Sequence, residues 1–256
     1  MGKSTMINAL FGKKKVVTSE VPGTTRDSTS IPFEYKDGKY TLIDTAGLRR
    51  RGKIEKGIEK YSILRTMQSV EQADVCVLML DFEHGVTSQD CHVSQYILEQ
   101  KKGLILVVNK VDIAKGKARE DLENSFVHKL RTKMAYLPWA PVVFSSALDR
   151  KNIFQILDLA GKISFERGKQ VSQEDLNVWL DMTLAKHSPK GQRGKRRFDI
   201  VGIKQVGIDP PSFQFFCEWP EYMHFSYERF LENELRNQFG FTGSAIQFNF
   251  KKSQER

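Results

Sequence analysis

The apolar positions of this chain form short unbroken runs, separated by stretches in which they recur three and four residues apart. One such run is Leu104-Ile105-Leu106-Val107-Val108. A run of that length and composition predicts a strand buried on both faces of a parallel sheet. Further runs at 40–43, 74–81 and 141–144 predict additional strands. Helical spacing at 4–11, 57–70, 89–100, 118–134 and 151–165 predicts amphipathic helices, the first stopped by Gly12. Residues 13–27 are basic, then rich in Gly, Pro and Thr, and predict a loop. Strands over 29–35 and 39–45 predict a hairpin about Asp37-Gly38. Strands alternating with helices in this way predict an α/β fold.

The pattern changes at Glu166-Arg167-Gly168-Lys169-Gln170, which places a boundary near Gly168 and divides the chain into 1–168 and 169–256. Beyond it, Ser172-Gln173-Glu174-Asp175 predicts a capping-box helix start carrying Leu176, Trp179, Leu180, Met182 and Leu184. Strands over 197–206 and 212–219, a helix over 226–239 and a strand over 244–251 complete a small α+β domain. Ile246, Phe248 and Phe250 alternate with Gln247, Asn249 and Lys251. With Phe213, Phe215, Phe216 and Trp219 they read as stacking platforms for bases or, preferably, as the inner face of a half-buried sheet.

Composition narrows the class. An apolar fraction of 40% and a charged fraction of 28% in 256 residues fit a globular chain with two domains. No stretch reaches the roughly 18 apolar residues of a membrane span, and no signal peptide is read at the start. Cys76, Cys91 and Cys217 are scattered, which argues for reduced structural thiols in a reducing compartment. His92 stands alone on its helix and is read as structural or exposed. A net charge of +9 points to a polyanionic partner, nucleic acid before membrane.

Candidate chemistry sits where these elements end. Gly2-Lys3-Ser4-Thr5 opens the first helix, as in the second half of a phosphate-binding loop. There Lys3 would reach the β- and γ-phosphates and Ser4 would hold Mg²⁺. The first half of such a loop, and the strand feeding it, would lie before Met1, so the chain reads as amino-terminally truncated. Asp44-Thr45-Ala46-Gly47 ends the second hairpin strand, placing Asp44 to hold Mg²⁺ through water and the Gly47 N–H toward the γ-phosphate. In the preceding loop, Thr25 is the preferred Mg²⁺ ligand and Thr24 the runner-up.

Asn109-Lys110-Val111-Asp112 follows the buried strand, and Ser146-Ala147-Leu148 follows another. Ligands of open α/β sheets bind at the carboxyl ends of the strands. A carboxylate there can accept the paired N1 and N2 protons of guanine. Adenine would leave Asp112 unpaired, a penalty of roughly 1–3 kcal/mol or more. GTP or GDP with Mg²⁺ is therefore the expected ligand. Leu48 occupies the slot of a water-orienting glutamine, so no catalytic residue is assigned and unaided hydrolysis is expected to be slow.

Two basic stretches remain. Arg49-Arg50-Arg51-Gly52-Lys53 reads equally as a solvated loop or as a nucleotide-gated RNA contact. Lys190, Arg193, Lys195, Arg196 and Arg197 form the densest basic stretch and are assigned to RNA phosphates. Gly191-Gln192-Arg193-Gly194 spells the G-x-x-G clamp of K-homology domains, but it precedes a strand where the clamp joins two helices.

The motifs in this order resemble the Era-like translational GTPases. Pro22-Gly23-Thr24-Thr25-Arg26-Asp27, the stretch from Asp44 through Lys53, Glu59-Lys60-Tyr61-Ser62, Pro210-Pro211 and Gly243-Ser244-Ala245-Ile246 resemble, more narrowly, the carboxyl-terminal half of the Der (EngA) family. That resemblance implies a P-loop NTPase fold, a Ras-like G domain with its first strand truncated, followed by a small α+β KH-like domain. It implies GTP hydrolysis coupled to assembly of the large (50S-type) ribosomal subunit, nucleotide state gating rRNA contact. A monomer in the cytoplasm and on the ribosome is expected, or in an organelle if a transit peptide lies upstream. The family's potassium-binding asparagine would lie in the missing part of the loop, so K⁺ is assigned only to the intact parent. Loss of several N–H donors to phosphate, each worth roughly 1.5–3 kcal/mol, is enough to abolish nucleotide binding in this chain, so GTP hydrolysis is expected of the parent protein. The alternative is an rRNA-binding module whose G domain is a nucleotide-incompetent scaffold.

Overall fold

The computed structural model describes residues 2–12, 16–18, 30–43, 58–114, 118–189 and 198–253. The chain forms two compact units, 1–162 and 163–256.

In the first unit, helix α1 (Lys3–Phe11) is followed by strand β1 (Val16–Thr18) and the hairpin β2 (Ile31–Tyr35) and β3 (Gly38–Leu42). These strands make an antiparallel sheet in the order β1-β2-β3. Strand β1 lies inside the segment expected to be a loop. Its β-branched Val16-Val17-Thr18 finds a pairing edge on β2, with Val16 opposite Tyr35. The hairpin turn also differs by one residue. Tyr35 pairs with Gly38, so Lys36-Asp37 makes the turn, with Lys36 at φ +51°. Gly38 opens β3 instead, because a Cβ there would lie 2.6 Å from the ring of Tyr40.

Helix α2 (Ile58–Gln72), strand β4 (Val75–Asp81), helix α3 (Ser88–Glu99), strand β5 (Gly103–Asn109), helix α4 (Ala118–Lys133), strand β6 (Val142–Phe144) and helix α5 (Ile153–Arg167) continue the chain. Strands β4, β5 and β6 form a parallel sheet with β5 in the middle. Leu104 through Val108 are wholly buried, which is why that run carries no polar residue. Ile97 from α3, Phe126 and Leu130 from α4 and Met134 just after it pack on the Leu104, Leu106 and Val108 face. Burying each such side chain contributes roughly 1.5–3 kcal/mol. Thr87 and Asp90 form a full capping box at the start of α3. The sheet therefore presents its strand ends, Asp81, Asn109 and Phe144, from a rigid base.

Helix α5 is tied to the hairpin. The Tyr35 hydroxyl donates to Asp158 at 3.2 Å, Lys36 forms an ion pair with the same carboxylate, and the Tyr35 ring stacks on Phe154 at 5.7 Å.

The second unit runs helix α6 (Gln173–Lys186), strands β7 (Ile200–Ile208) and β8 (Pro211–Cys217), helix α7 (Phe225–Phe239) and strand β9 (Gln247–Lys252). The order helix, strand, strand, helix, strand is the one the sequence predicts. Strands β7 and β8 pair antiparallel and β8 and β9 parallel. Alternate residues of β8, including the wholly buried Phe213 and Phe215, face Leu176, Trp179 and Leu180 of α6 and Leu231 and Leu235 of α7. Phe248 and Phe250 pack against the same core, so these aromatics are structural. At the start of α6, Ser172 caps the Asp175 N–H at 3.1 Å, while the Asp175 carboxylate accepts from the Ser172 hydroxyl at 2.7 Å. Arg236 on α7 donates to the Phe241 and Ser244 carbonyls at 2.8 and 2.9 Å, holding the turn into β9.

Candidate nucleotide site

Parallel register sets Asp81 of β4 beside Asn109 of β5, each the last residue of its strand. Asn109 is 2% exposed, and its Oδ1 accepts the Ala147 N–H at 3.0 Å. Gly2, the residue before α1, comes up against the same side chain. Its φ is +83°, and a Cβ on it would lie 2.6 Å from the Asn109 Nδ2. Both conformation and space therefore demand glycine at position 2. In this way the start of α1, the end of β5 and the loop after β6 converge on one amide side chain.

Lys110 takes a left-handed conformation, φ +71°, and turns the chain into a short 3₁₀ helix (Val111–Ile113). Its Nζ lies 2.7 Å from Asp81 Oδ2. The Val111 N–H donates to the Ser145 carbonyl at 3.2 Å, pinning this loop to the strand that leads into the next one. Asp112 is half-buried, and its Oδ1 accepts the Ser146 hydroxyl at 2.7 Å. The Ser146 oxygen in turn accepts the Asp149 N–H at 3.0 Å. Ser146 and Ala147 are buried; Leu148 is 75% exposed. One hydrogen bond occupies one of the four lone-pair positions of the Asp112 carboxylate, and the others are available to paired N–H donors.

Lys3, Ser4 and Thr5 are exposed on the first turn of α1. That turn carries no acidic residue and no side-chain cap. The positive end of the helix dipole at that turn favours an anion. The Ser4 hydroxyl is a hard oxygen donor of the kind Mg²⁺ takes. Thr25, Asp44, Gly47 and Leu48 lie outside the described residues. So do Lys190, Arg193, Lys195, Arg196 and Arg197, together with the stretches 22–27, 49–53 and 191–194.

Residues 1–110 match the model of a 50S ribosome-binding GTPase family. Residues 170–251 match the KH-domain-like, C-terminal part of EngA bacterial GTPase enzymes. GTPase Der of Herpetosiphon aurantiacus is 41% identical over 259 residues, covering 100% of this chain and 56% of its own length. GTPase Der of Alkaliphilus metalliredigens is 41% identical over 256 residues, covering 100% of this chain and 58% of its own. This chain belongs to the Der (EngA) family. It spans a little over half the length of those Der relatives. Among solved structures, Era from Aquifex aeolicus bound to GDP and AlF₄⁻ aligns with 98% of this chain and 89% of its own at 18% identity and a TM-score of 0.47.

One residue beside this candidate site was not found by reading motifs. Asp81 is buried, and besides Lys110 it accepts the Glu83 and His84 N–H groups at 3.1 and 3.4 Å, with His84 Nδ1 at 3.2 Å. Burial alone would raise its pKa. The bonds from Lys110 and His84 and from the two backbone N–H groups outweigh burial and hold the carboxyl well below the usual carboxylate range. The signal in the sequence was slight: a carboxylate closing an apolar run, as Asn109 closes the next one.

Proposed function

We propose that this Der-family chain binds guanine nucleotide at the carboxyl ends of β4, β5 and β6 and at the start of α1. It hydrolyses GTP to GDP and phosphate, and nucleotide state gates its contact with rRNA during assembly of the large ribosomal subunit. The observation that carries the reading is the convergence of Gly2, Asn109, Asp112, Ser146 and Ala147. An amide, a carboxylate, a hydroxyl and a glycine that admits no side chain are interlocked at strand ends.

Each residue has a task. Asp112, oriented by Ser146, accepts the paired N–H groups of guanine. Asn109 fixes the loops of β5 and β6 and the phosphate-facing Gly2 relative to one another. Lys110, anchored by Asp81, keeps the base loop in its left-handed turn. The N–H groups of α1's first turn, with Lys3 and Thr5, receive phosphate oxygens. Ser4, joined by Thr25 and by Asp44 through water, would hold Mg²⁺, which neutralises charge on the phosphates. Leu48 can neither polarise nor orient water, so intrinsic hydrolysis is slow and is raised by a partner. RNA phosphates meet Lys190, Arg193, Lys195, Arg196 and Arg197, and the protein works in the cytoplasm on the ribosome.

Displacement of a fluorescent GDP by GTP, GDP and ATP tests the nucleotide site. GTP and GDP should displace it and ATP should not. RNA affinity measured with GDP and with a non-hydrolysable GTP analogue tests the gating. Equal affinities, together with no nucleotide binding, would establish the scaffold reading instead.

A further inference from the structure

Helix α5 runs unbroken across residue 162, where the first compact unit ends. Before that point it is held by the hairpin. Asp158 accepts the Tyr35 hydroxyl and pairs with Lys36. One turn on, Gly161 meets Tyr40 of β3, where a Cβ would lie 2.8 Å from the Tyr40 hydroxyl. A glycine inside a helix is destabilising relative to alanine, and the approach of β3 accounts for this one. After that point α5 is held by the second unit. The Glu166 carboxylate accepts the Phe241 N–H at 2.8 Å, at a left-handed residue (φ +63°) between α7 and β9. Arg167, 4% exposed, pairs with Asp209 in the turn between β7 and β8.

We propose that α5 is a strut that couples the hairpin to the second unit, with Asp158 and Gly161 as its anchors at one end and Glu166 and Arg167 at the other. The inference rests on reading Asp44, two residues past the end of β3, as a nucleotide contact, and it names the route by which nucleotide state is passed on. Asp158 and Arg167 are nine positions apart, about 14 Å along a helix. A loop of that length would absorb a shift of the hairpin in its own dihedrals. A hydrogen-bonded helix of two and a half turns carries the shift to the turns at Asp209 and Phe241. Such coupling acts in both directions.

The test is amide hydrogen exchange at the Phe241 N–H, followed by NMR in the full chain with and without GDP, with GDP binding itself read by displacement of a fluorescent nucleotide. In the wild type GDP should slow exchange at Phe241 about fivefold. Asp158→Ala, at an exposed side chain, should bind GDP as the wild type does and lose that response. Without nucleotide it should already exchange faster at Phe241 than the wild type. Lys186→Ala removes an ion pair to Glu234 elsewhere in the second unit and should leave the response whole. If the wild type binds GDP and Phe241 does not respond, or if Asp158→Ala keeps the response, the strut is overturned and the nucleotide reading stands. If Lys186→Ala abolishes the response as Asp158→Ala does, Phe241 reports general loosening and the strut is overturned. If the wild type binds no GDP, the nucleotide reading fails and the strut is decided without ligand. Faster exchange at Phe241 in Asp158→Ala then supports it, and an unchanged rate overturns it.

Discussion

The Ser146 hydroxyl donates to Asp112 Oδ1 across 2.7 Å, joining the loops that leave two adjacent parallel strands. Ser146 is fully buried and its oxygen is itself held by the Asp149 N–H. The carboxylate proposed to read the base thus has its orientation set by the protein. Replacing Ser146 by Ala removes one bond to a charged acceptor, worth roughly 1.5–3 kcal/mol. GDP affinity should fall by about tenfold or more, read by displacement of a fluorescent nucleotide.

Gly2→Ala tests the contact between the start of α1 and Asn109. A left-handed residue with a Cβ costs roughly 1–2 kcal/mol, and here the Cβ also meets the Asn109 amide. Relief requires that amide to move, which breaks its bond to Ala147. The variant should lose both thermal stability and nucleotide affinity; an unchanged Tm would show that Gly2 and Asn109 are not in contact.

Asp81 makes stability depend on acid. Its pKa in the folded protein lies below the unfolded value of about 3.9. A depressed carboxyl contributes stability that is full above the unfolded pKa and is lost as pH falls through the folded one. The wild type should therefore lose stability from about pH 5 downward. Asp81→Asn should start lower at pH 7 and lose less over that range, as thermal unfolding against pH would reveal. Lys110 loses its anchor in that variant, so guanine affinity should weaken with it.

Much of this was legible in the sequence, for physical reasons that differ by element. Strand β5 announces itself because its stretch Leu104–Val108, buried on both faces, is unbroken by polar residues. The order of the second unit was readable because its helices and sheet are each half-buried and keep their periods. Strand β1 was not, since three residues in a basic, Gly/Pro-rich stretch carry no period. The hairpin turn was placed one residue late because Asp37-Gly38 is the stronger local signal. In the structure Tyr35 pairs with Gly38, and the Tyr40 ring lies where a Cβ on Gly38 would be. In the site, residue types were readable and contacts were not. Gly2 and Asn109 are 107 positions apart, and Asp81 belongs to no motif.

Cys217 is fully buried in the second unit, and burial pushes its thiol pKa up to about 12. With the thiolate nearly absent at pH 8, Cys217 should resist iodoacetamide in the folded protein and react on unfolding, as peptide mass mapping would show.

The central claim is that Asp112 chooses the base. Asparagine at that position is isosteric but replaces one acceptor oxygen with a donor, so it cannot accept both guanine N–H groups. Xanthine presents a carbonyl where guanine has its amino group and would suit that donor. The decisive measurement is displacement of a fluorescent guanine nucleotide from the wild type, and of a fluorescent xanthine nucleotide from Asp112→Asn, by GDP, XDP and ADP. The account predicts preference for GDP in the wild type and for XDP in the variant. A wild type indifferent between GDP and ADP, or a variant that still prefers GDP, would contradict it.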